Sequence, residues 1–334
     1  MPLSVRSFAK INVGLRIGPW REDGFHDLRT VYQTIALHDT VRVDLARGTG
    51  IEIKCKDSRV PTDESNTCYR IAERVMKALR VRGRVVISIE KSLPVQGGLG
   101  GASSNAVATM LGLERLTKSE LPAEERLRIA GEVGSDLPLF LIGGAVLGVG
   151  RGEEVYPVPD LPPLNCVVAT PETSVSTPAA FAAWDEHWSR HEPGGRAGTS
   201  GKLTGNAASD KINTFSRSVF AWLNSYSTGV PALKDGDRAE ALLLDLVRAG
   251  IENDFETVVF PLYPELRELK RVFEREGASY ASLSGSGSSV YGLFASAEIA
   301  ARAAGALTQQ GYWAQATTSL PRREYWKKFL VSRS

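Results

Sequence analysis

Residues 94–104 read Pro94-Val95-Gln96-Gly97-Gly98-Leu99-Gly100-Gly101-Ala102-Ser103-Ser104, and they lie between an apolar strand pattern and an amphipathic helix pattern. Glycine admits positive φ and lets a ligand approach the main chain with no Cβ in the way. A helix start adds free N–H groups and the positive end of the helix dipole, so this stretch could hold an anion, phosphate above all. A tight strand-to-helix connection is the plainer reading of the same letters. A second segment, Ser284-Gly285-Ser286-Gly287-Ser288-Ser289, has similar chemistry. It reads either as a hairpin turn or as a second anion loop, six residues being more than a two-residue hairpin needs. Two single residues complete the set. Lys10 falls in the first strand pattern, where a solvated lysine is the ordinary case, and Asp136 stands at an apparent helix start, where a carboxylate ordinarily serves as N-cap.

Neither of two familiar glycine fingerprints fits residues 94–104. A Walker loop ends in Gly-Lys-Ser or Gly-Lys-Thr, and no lysine lies between Lys91 and Lys118. A Rossmann turn puts its glycines directly after the strand and an acidic residue about 20 positions later. Here Lys91 to Pro94 intervene, and Glu114 falls inside the helix pattern.

Forty basic residues against 38 acidic ones give a formal charge of +2, which offers no general field for a polyanion and argues against nucleic acid as a partner. Cys55, Cys68 and Cys166 form no CxxC pair and read as reduced thiols in a reducing compartment. His38, His187 and His191 lack metal-ligand spacing, so no protein-held metal is expected. No apolar run approaches the ~18 residues needed to span a bilayer, and the N-terminus lacks the form of a signal peptide. The expectation is a soluble cytoplasmic protein with no membrane partner. The basic residues Arg322, Arg323, Lys327, Lys328 and Arg333 read as a solvated end.

Elements must bring these residues together, and 334 residues allow two domains. Three prolines in Val158 to Pro163 mark the boundary, giving domains at 1–160 and 161–334. The first opens with two short strands within Leu3 to Ile17, a polar loop from Gly18 to His26, and strands near Thr40 to Leu45 and Ile51 to Cys55. Apolar spacing of three and four predicts helices over Asn66 to Val81, Asn105 to Leu116 and Ala123 to Val133, with a strand at Arg84 to Glu90 feeding the glycine loop. The second domain begins with a strand at Leu164 to Ala169. It continues with helices at Asp237 to Arg248, Tyr263 to Glu276 and Ala297 to Gln310, and strands at Tyr280 to Leu283, Ser289 to Phe294 and Trp313 to Thr317. Glu192 to Ala207, rich in Gly, Ser and Thr, predicts a mobile loop.

The order strand lysine, glycine loop, Gly134-Ser135-Asp136-Leu137-Pro138 and Ser284-Gly285-Ser286-Gly287 resembles the GHMP small-molecule kinases over nearly all of the chain apart from Glu192 to Ala207. The resemblance implies an α+β fold of two domains, an N-terminal ribosomal-S5-like β/α domain and a C-terminal ferredoxin-like α+β domain, with the active site in the cleft between them. Further text narrows the branch: Ala9-Lys10-Ile11-Asn12-Val13, Asp23-Gly24-Phe25-His26-Asp27-Leu28, Thr34 to Asp39, Pro61 to Asn66, Gly150-Arg151-Gly152-Glu153 and Asn253-Asp254. That branch implies ATP-dependent phosphorylation of the 2-hydroxyl of 4-(cytidine 5'-diphospho)-2-C-methyl-D-erythritol. Magnesium would be brought by ATP with few dedicated protein ligands.

In the terms of that resemblance, Asp136 takes the proton of the attacking hydroxyl and Lys10 offsets charge on the transferred group. Pro94 to Ser104, with Asn66, holds ATP. Phe25 and Phe181 sandwich the cytosine, while Asn12, His26 and Thr177 add contacts to the substrate; Ser284 to Gly287 forms the second anion loop. Small molecules are the implied partners of a monomer or weak homodimer. The chain departs from the pattern at Phe25, where tyrosine is frequent, at Ala102, where glycine is usual, and in its longer segment at Glu192. Two other readings stay open: a GHMP kinase for a mevalonate-like or homoserine-like substrate, and a nucleotide-binding sensor that kept the fold and lost catalysis.

Overall fold

The computed structural model describes residues 2–191, 213–217 and 251–331. The predicted loop at Glu192 to Ala207 and the predicted helix at Asp237 to Arg248 lie outside the described residues. Among the described helices, none is long and apolar enough to cross a membrane.

Two long strands organise the first half. β1 (Leu3–Trp20) and β2 (His26–Ala46) pair antiparallel from end to end, with register shifts at Phe8/Ala9, Asn12/Gly14 and Ile17/Trp20. These shifts explain why the sequence reads as shorter pieces: each slips the alternation of inward and outward side chains by a step. The predicted polar loop is thereby reduced to residues 21–25. β2 also pairs with β4 (Arg84–Glu90) near its end and with β5 (Ala145–Val149) near its start. β3 (Gly50–Cys55) and β6 (Glu154–Pro157) extend the sheet to six strands.

Helices α1 (Thr67–Ala78), α2 (Gly101–Thr117), α3 (Ala123–Val133) and the short α4 (Leu137–Phe140) belong to the same half. α2 lies close on the sheet because Gly112 faces Val43, where a β-carbon would stand 2.9 Å away. Val41, Val43, Val85, Ile87, Met110, Leu113 and Phe140 are all fully buried in the resulting core.

The second half contains β7 (Asn165–Thr170), α5 (Thr177–His191), α6 (Phe255–Leu262), α7 (Pro264–Arg275), β8 (Tyr280–Leu283), β9 (Val290–Phe294), α8 (Ala297–Gln309) and β10 (Trp313–Thr318). The sheet order β10-β7-β9-β8 is antiparallel throughout. Numbered from β7, that is 4-1-3-2, the ferredoxin-like arrangement. α7 follows its periodicity: Leu266, Leu269, Val272 and Phe273 form a buried stripe, and Pro264 occupies the first turn, where its missing N–H costs nothing.

A third cluster joins the halves. Ile11 and Val13 of β1, Val31 and Ile35 of β2, Cys166 and Val168 of β7, and Tyr291 and Leu293 of β9 pack together without exposure above a few per cent. The last helix, α9 (Arg322–Phe329), returns to the first half. Its Tyr325 and Phe329 enter the first core, the Tyr325 hydroxyl donates to the Phe140 carbonyl at 2.8 Å, and Leu330 bridges Val5. Of the basic residues expected to be solvated, Arg323, Lys327 and Lys328 are exposed, Arg322 instead donates to the Ala145 carbonyl at 2.8 Å, and Arg333 lies outside the described residues. Of the cysteines, Cys68 and Cys166 are buried, whereas Cys55 is partly exposed.

Candidate active site

Lys10 sits on β1 and is 3% exposed. Its Nζ lies 2.6 Å from Asn12 Oδ1 and 3.4 Å from Asp136 Oδ2, and 5.5 Å from the centre of the Tyr32 ring. Strand geometry explains the first contact, since residues two apart project to one face. Asn12 in turn donates from Nδ2 to Thr30 Oγ1 at 2.7 Å, and Thr30 donates to the Gly14 carbonyl at 2.7 Å. A buried ammonium is therefore held by a fixed chain of acceptors, which answers the desolvation cost of placing it there. Asp136 occupies the N-cap position of α4 but makes no capping bond with its side chain. Its carboxylate instead meets Lys10 through one oxygen and the Tyr32 hydroxyl, at 3.2 Å, through the other. Burial first, then the Asp136 charge, raises the Tyr32 hydroxyl well above the usual tyrosine range, so Tyr32 is a donor to that carboxylate.

The glycine loop connects β4 to α2. Its backbone takes positive φ at Gln96, Gly98 and Gly100, and Gly100 is the N-cap of α2 with no side-chain cap. The first amides of a 17-residue helix are consequently left for a ligand. Helix α2 starts at Gly101, ahead of the predicted Asn105, because the glycines supply the left-handed entry that a sequence pattern of apolar residues does not register. Asp39, wholly buried, fixes the loop's entry: it accepts from the amides of Ser92 and Leu93 at 2.8 and 2.9 Å and from Lys91 and Asn105 side chains. Sequence reasoning did not assign Asp39 this part, because its partners Lys91, Ser92, Leu93 and Asn105 lie more than 50 positions away.

Residues 94–103 line a cavity of 380 Å³ together with Asn66, Lys91 and Asn105. Ser104 turns into the core instead. The Asn66 side chain caps α1, accepting from the Cys68 amide at 2.8 Å and donating to the Pro61 carbonyl at 2.6 Å, so it contributes a rigid wall. Thr67 ties the two helix starts together by donating to the Ala102 carbonyl at 2.9 Å.

The second serine-glycine segment connects β8 to β9 as a hairpin loop and also braces the first. Ser284 donates to the Gly98 carbonyl at 3.1 Å, and the Ser289 amide donates to the Gly97 carbonyl at 3.1 Å. Its serines are buried, with Ser286 bonded to Thr177 and Ser289 to Thr170. Gly285 stands over the Lys10–Asn12 pair, where a β-carbon would lie 3.5 Å from Nζ and 3.4 Å from Oδ1. Asn253 holds this loop by donating to the carbonyls of Leu283 and Gly285, both at 2.8 Å. Asp254 beside it holds β1, accepting from Arg16 at 2.6 Å and from the Ile17 amide at 2.9 Å.

The aromatic side of the cleft gathers around His26. Its imidazole is buried between Trp20, at 4.5 Å, and Phe181, stacked at 5.5 Å with 6° between planes. Nδ1 lies 3.0 Å from the Gly18 carbonyl and Nε2 2.8 Å from Asp185 Oδ1. Thr177, Phe181 and Asp185 follow at four-residue steps on α5 and so share a face. Asp185 was missed in the sequence, although that four-residue step was its available signal. Phe25 is half exposed, with the Arg151 guanidinium over its ring at 4.9 Å. Arg151 is held by Glu153 at 3.0 Å. The structure thus places Phe181 against His26 and Phe25 against Arg151. Among the described residues, no group of three His, Cys, Asp or Glu side chains is placed to hold a metal ion.

A two-domain α+β cleft with a glycine loop at a helix start and a buried lysine paired with a partly exposed aspartate defines a small-molecule kinase of the GHMP class. Residues 66–144 match the GHMP kinases N terminal domain, and residues 230–312 match GHMP kinases C terminal. The chain belongs to the 4-diphosphocytidyl-2-C-methyl-D-erythritol kinase family: it is 39% identical over 292 residues to the enzyme of that name from Solibacter usitatus, covering 87% of this chain and 80% of the relative. The Moorella thermoacetica enzyme of the same name is 34% identical, covering 92% and 95%. A crystal structure of 4-(cytidine 5'-diphospho)-2C-methyl-D-erythritol kinase superposes with a TM-score of 0.68 at 29% identity, covering 95% and 98%. Homoserine kinase from Cytophaga hutchinsonii, at 20% identity and a TM-score of 0.67, shares the fold.

Proposed function

We propose that the protein transfers the γ-phosphoryl group of ATP to the 2-hydroxyl of 4-(cytidine 5'-diphospho)-2-C-methyl-D-erythritol, an isoprenoid precursor of the non-mevalonate route. The observation that carries this reading is the Lys10–Asp136 pair, 3.4 Å apart, between a phosphate-type loop and a cluster of aromatic rings. Asp136 takes the hydroxyl proton as the oxygen attacks phosphorus, and the bond to the β,γ-bridging oxygen breaks to release ADP. Phosphoryl transfer passes through a loose transition state, so position and charge do most of the work. Lys10 faces the transferred group and offsets its charge. The α2 amides and residues 94–103 hold the ATP phosphates, with Asn66 in the wall; Ser284, Gly285, Ser286 and Gly287 support that loop from below. Magnesium would arrive on the phosphates of ATP themselves.

On the substrate side, Phe181 and Phe25 offer faces to the cytosine, and His26 and Thr177 flank it. Phe25 is half exposed, and its ring is free to take a base on the face that the Arg151 guanidinium does not cover. Asn12 contacts the methylerythritol end. In this reading the protein acts on small molecules, as a monomer or weak homodimer, in the cytoplasm where ATP is supplied. The test is ADP release measured with the cytidine compound beside mevalonate, homoserine and galactose. Turnover confined to the first supports the reading; turnover with another alone, or with none, overturns it.

A further inference from the structure

Tyr32 touches both members of the Lys10–Asp136 pair yet has no part in the reaction described above. Its hydroxyl lies 3.2 Å from Asp136 Oδ1, the oxygen that Lys10 does not engage, and its ring lies 5.5 Å from the Lys10 ammonium. The ring is 3% exposed and caged by glycine. A β-carbon at Gly148 would stand 2.5 Å from Cε2, and one at Gly152 would stand 2.6 Å from the hydroxyl oxygen. The strand and the turn of Gly150 to Glu153 therefore leave room for this one side chain in this one place. Close packing at Cε2 and at the hydroxyl leaves the ring little room to move, so the hydroxyl is presented at a fixed point.

We infer that Tyr32 is a positioning residue for Asp136. By occupying Oδ1 from one side while Lys10 occupies Oδ2 from the other, it sets the plane of the carboxylate toward the attacking hydroxyl. Asp136 is a third exposed and stands before a four-residue helix, so its rotamer has little else to define it. The same hydroxyl, if it bound substrate directly, would affect affinity; acting through Asp136, it affects the chemical step. This inference rests on the proposed role of Asp136 as proton acceptor.

A double-mutant cycle separates the possibilities. With wild-type turnover of the cytidine substrate established first, Tyr32→Phe is expected to lower kcat about tenfold or more, leave KM for both substrates within about twofold, and keep the melting temperature. In the Asp136→Asn background the same change is expected to cost nothing further. Should Tyr32→Phe lower the melting temperature, kcat is read below its melting transition and per nucleotide-binding site, where the same loss of about tenfold or more is expected. Additive losses in the cycle, an unchanged kcat for Tyr32→Phe, or a loss expressed as a raised KM would each overturn the inference. Absence of wild-type turnover, or an indifferent Asp136→Asn, would instead overturn the reaction assigned above and would be seen before Tyr32 is changed.

Discussion

The side of the cleft proposed to take phosphate is made of main chain, and the aromatic side is made mostly of side chains. On the first, loop 94–100 takes positive φ at three positions and rests on the 284–289 loop through carbonyl and amide contacts. On the second, Trp20, His26 and Phe181 stack from β1, β2 and α5, with Asp185 and the Gly18 carbonyl holding the imidazole. A ligand's phosphates are alike in every substrate of a kinase, so a rigid backbone cradle suffices for them. A base has to be told from other bases, which takes faces and edges that only side chains carry. In the proposed reaction Lys10 and Asp136 stand between the two.

Changes at the centre should have the largest effect. Asp136→Asn is expected to lower kcat by about 10² to 10⁴ while both KM values hold, because a positioned carboxylate typically contributes that much; steady-state rates decide it, and a loss below threefold would remove Asp136 from the chemistry. Next comes the backbone side. A β-carbon at Gly98 would run into the Ser284 carbonyl oxygen at a residue whose φ is +73°, so Gly98→Ala should destabilise the fold by about 2 to 4 kcal/mol and damage ATP binding. Thermal melting with and without nucleotide would show it, and an unaltered ATP KM would mean the two loops need not touch.

On the aromatic side, Phe181→Ala should raise KM for the cytidine substrate about 10- to 100-fold and leave KM for ATP within about twofold, since stacking a base is worth roughly 1 to 3 kcal/mol. Equal effects on both substrates would erase the division between the two sides. The smallest change is Phe25→Tyr, which adds a hydroxyl at a half-exposed ring and should alter either KM by no more than about twofold. A larger gain would show that the exposed ring reads more than a π-face.

The same division governs what could be read in the sequence. Gly97 to Gly101 and Gly285 to Gly287 announce themselves because glycine is used where no other residue fits, and that requirement is local. Lys10 and Asp136 were visible only in combination with the loops. The Asp136 carboxylate could have been an N-cap, and nothing in Ser135-Asp136-Leu137-Pro138 says that Lys10 and Tyr32 reach it first. Asp39, Tyr32 and Asp185 escaped notice because their partners lie 52, 104 and 159 positions away. The fold was legible where apolar periodicity was unbroken, as at β4, α3 and β8. It was obscured in β1, whose register shifts divide one strand of 18 residues into apparent fragments.

Helix α9 has a consequence for how the molecule is made. Tyr325 fills the interior begun by Val5 and Phe8, and its hydroxyl satisfies a carbonyl 185 residues earlier. During synthesis the first sheet and its helices emerge from the ribosome long before that tyrosine exists. Their core must wait with an open seam beneath Phe140 while the whole second half is translated and folded. Only the last segment closes it, tying the Val331 amide to the Ser4 carbonyl at 3.1 Å. Chains arrested before this helix would therefore expose an apolar slot, so the order of synthesis makes the first half the last to be finished.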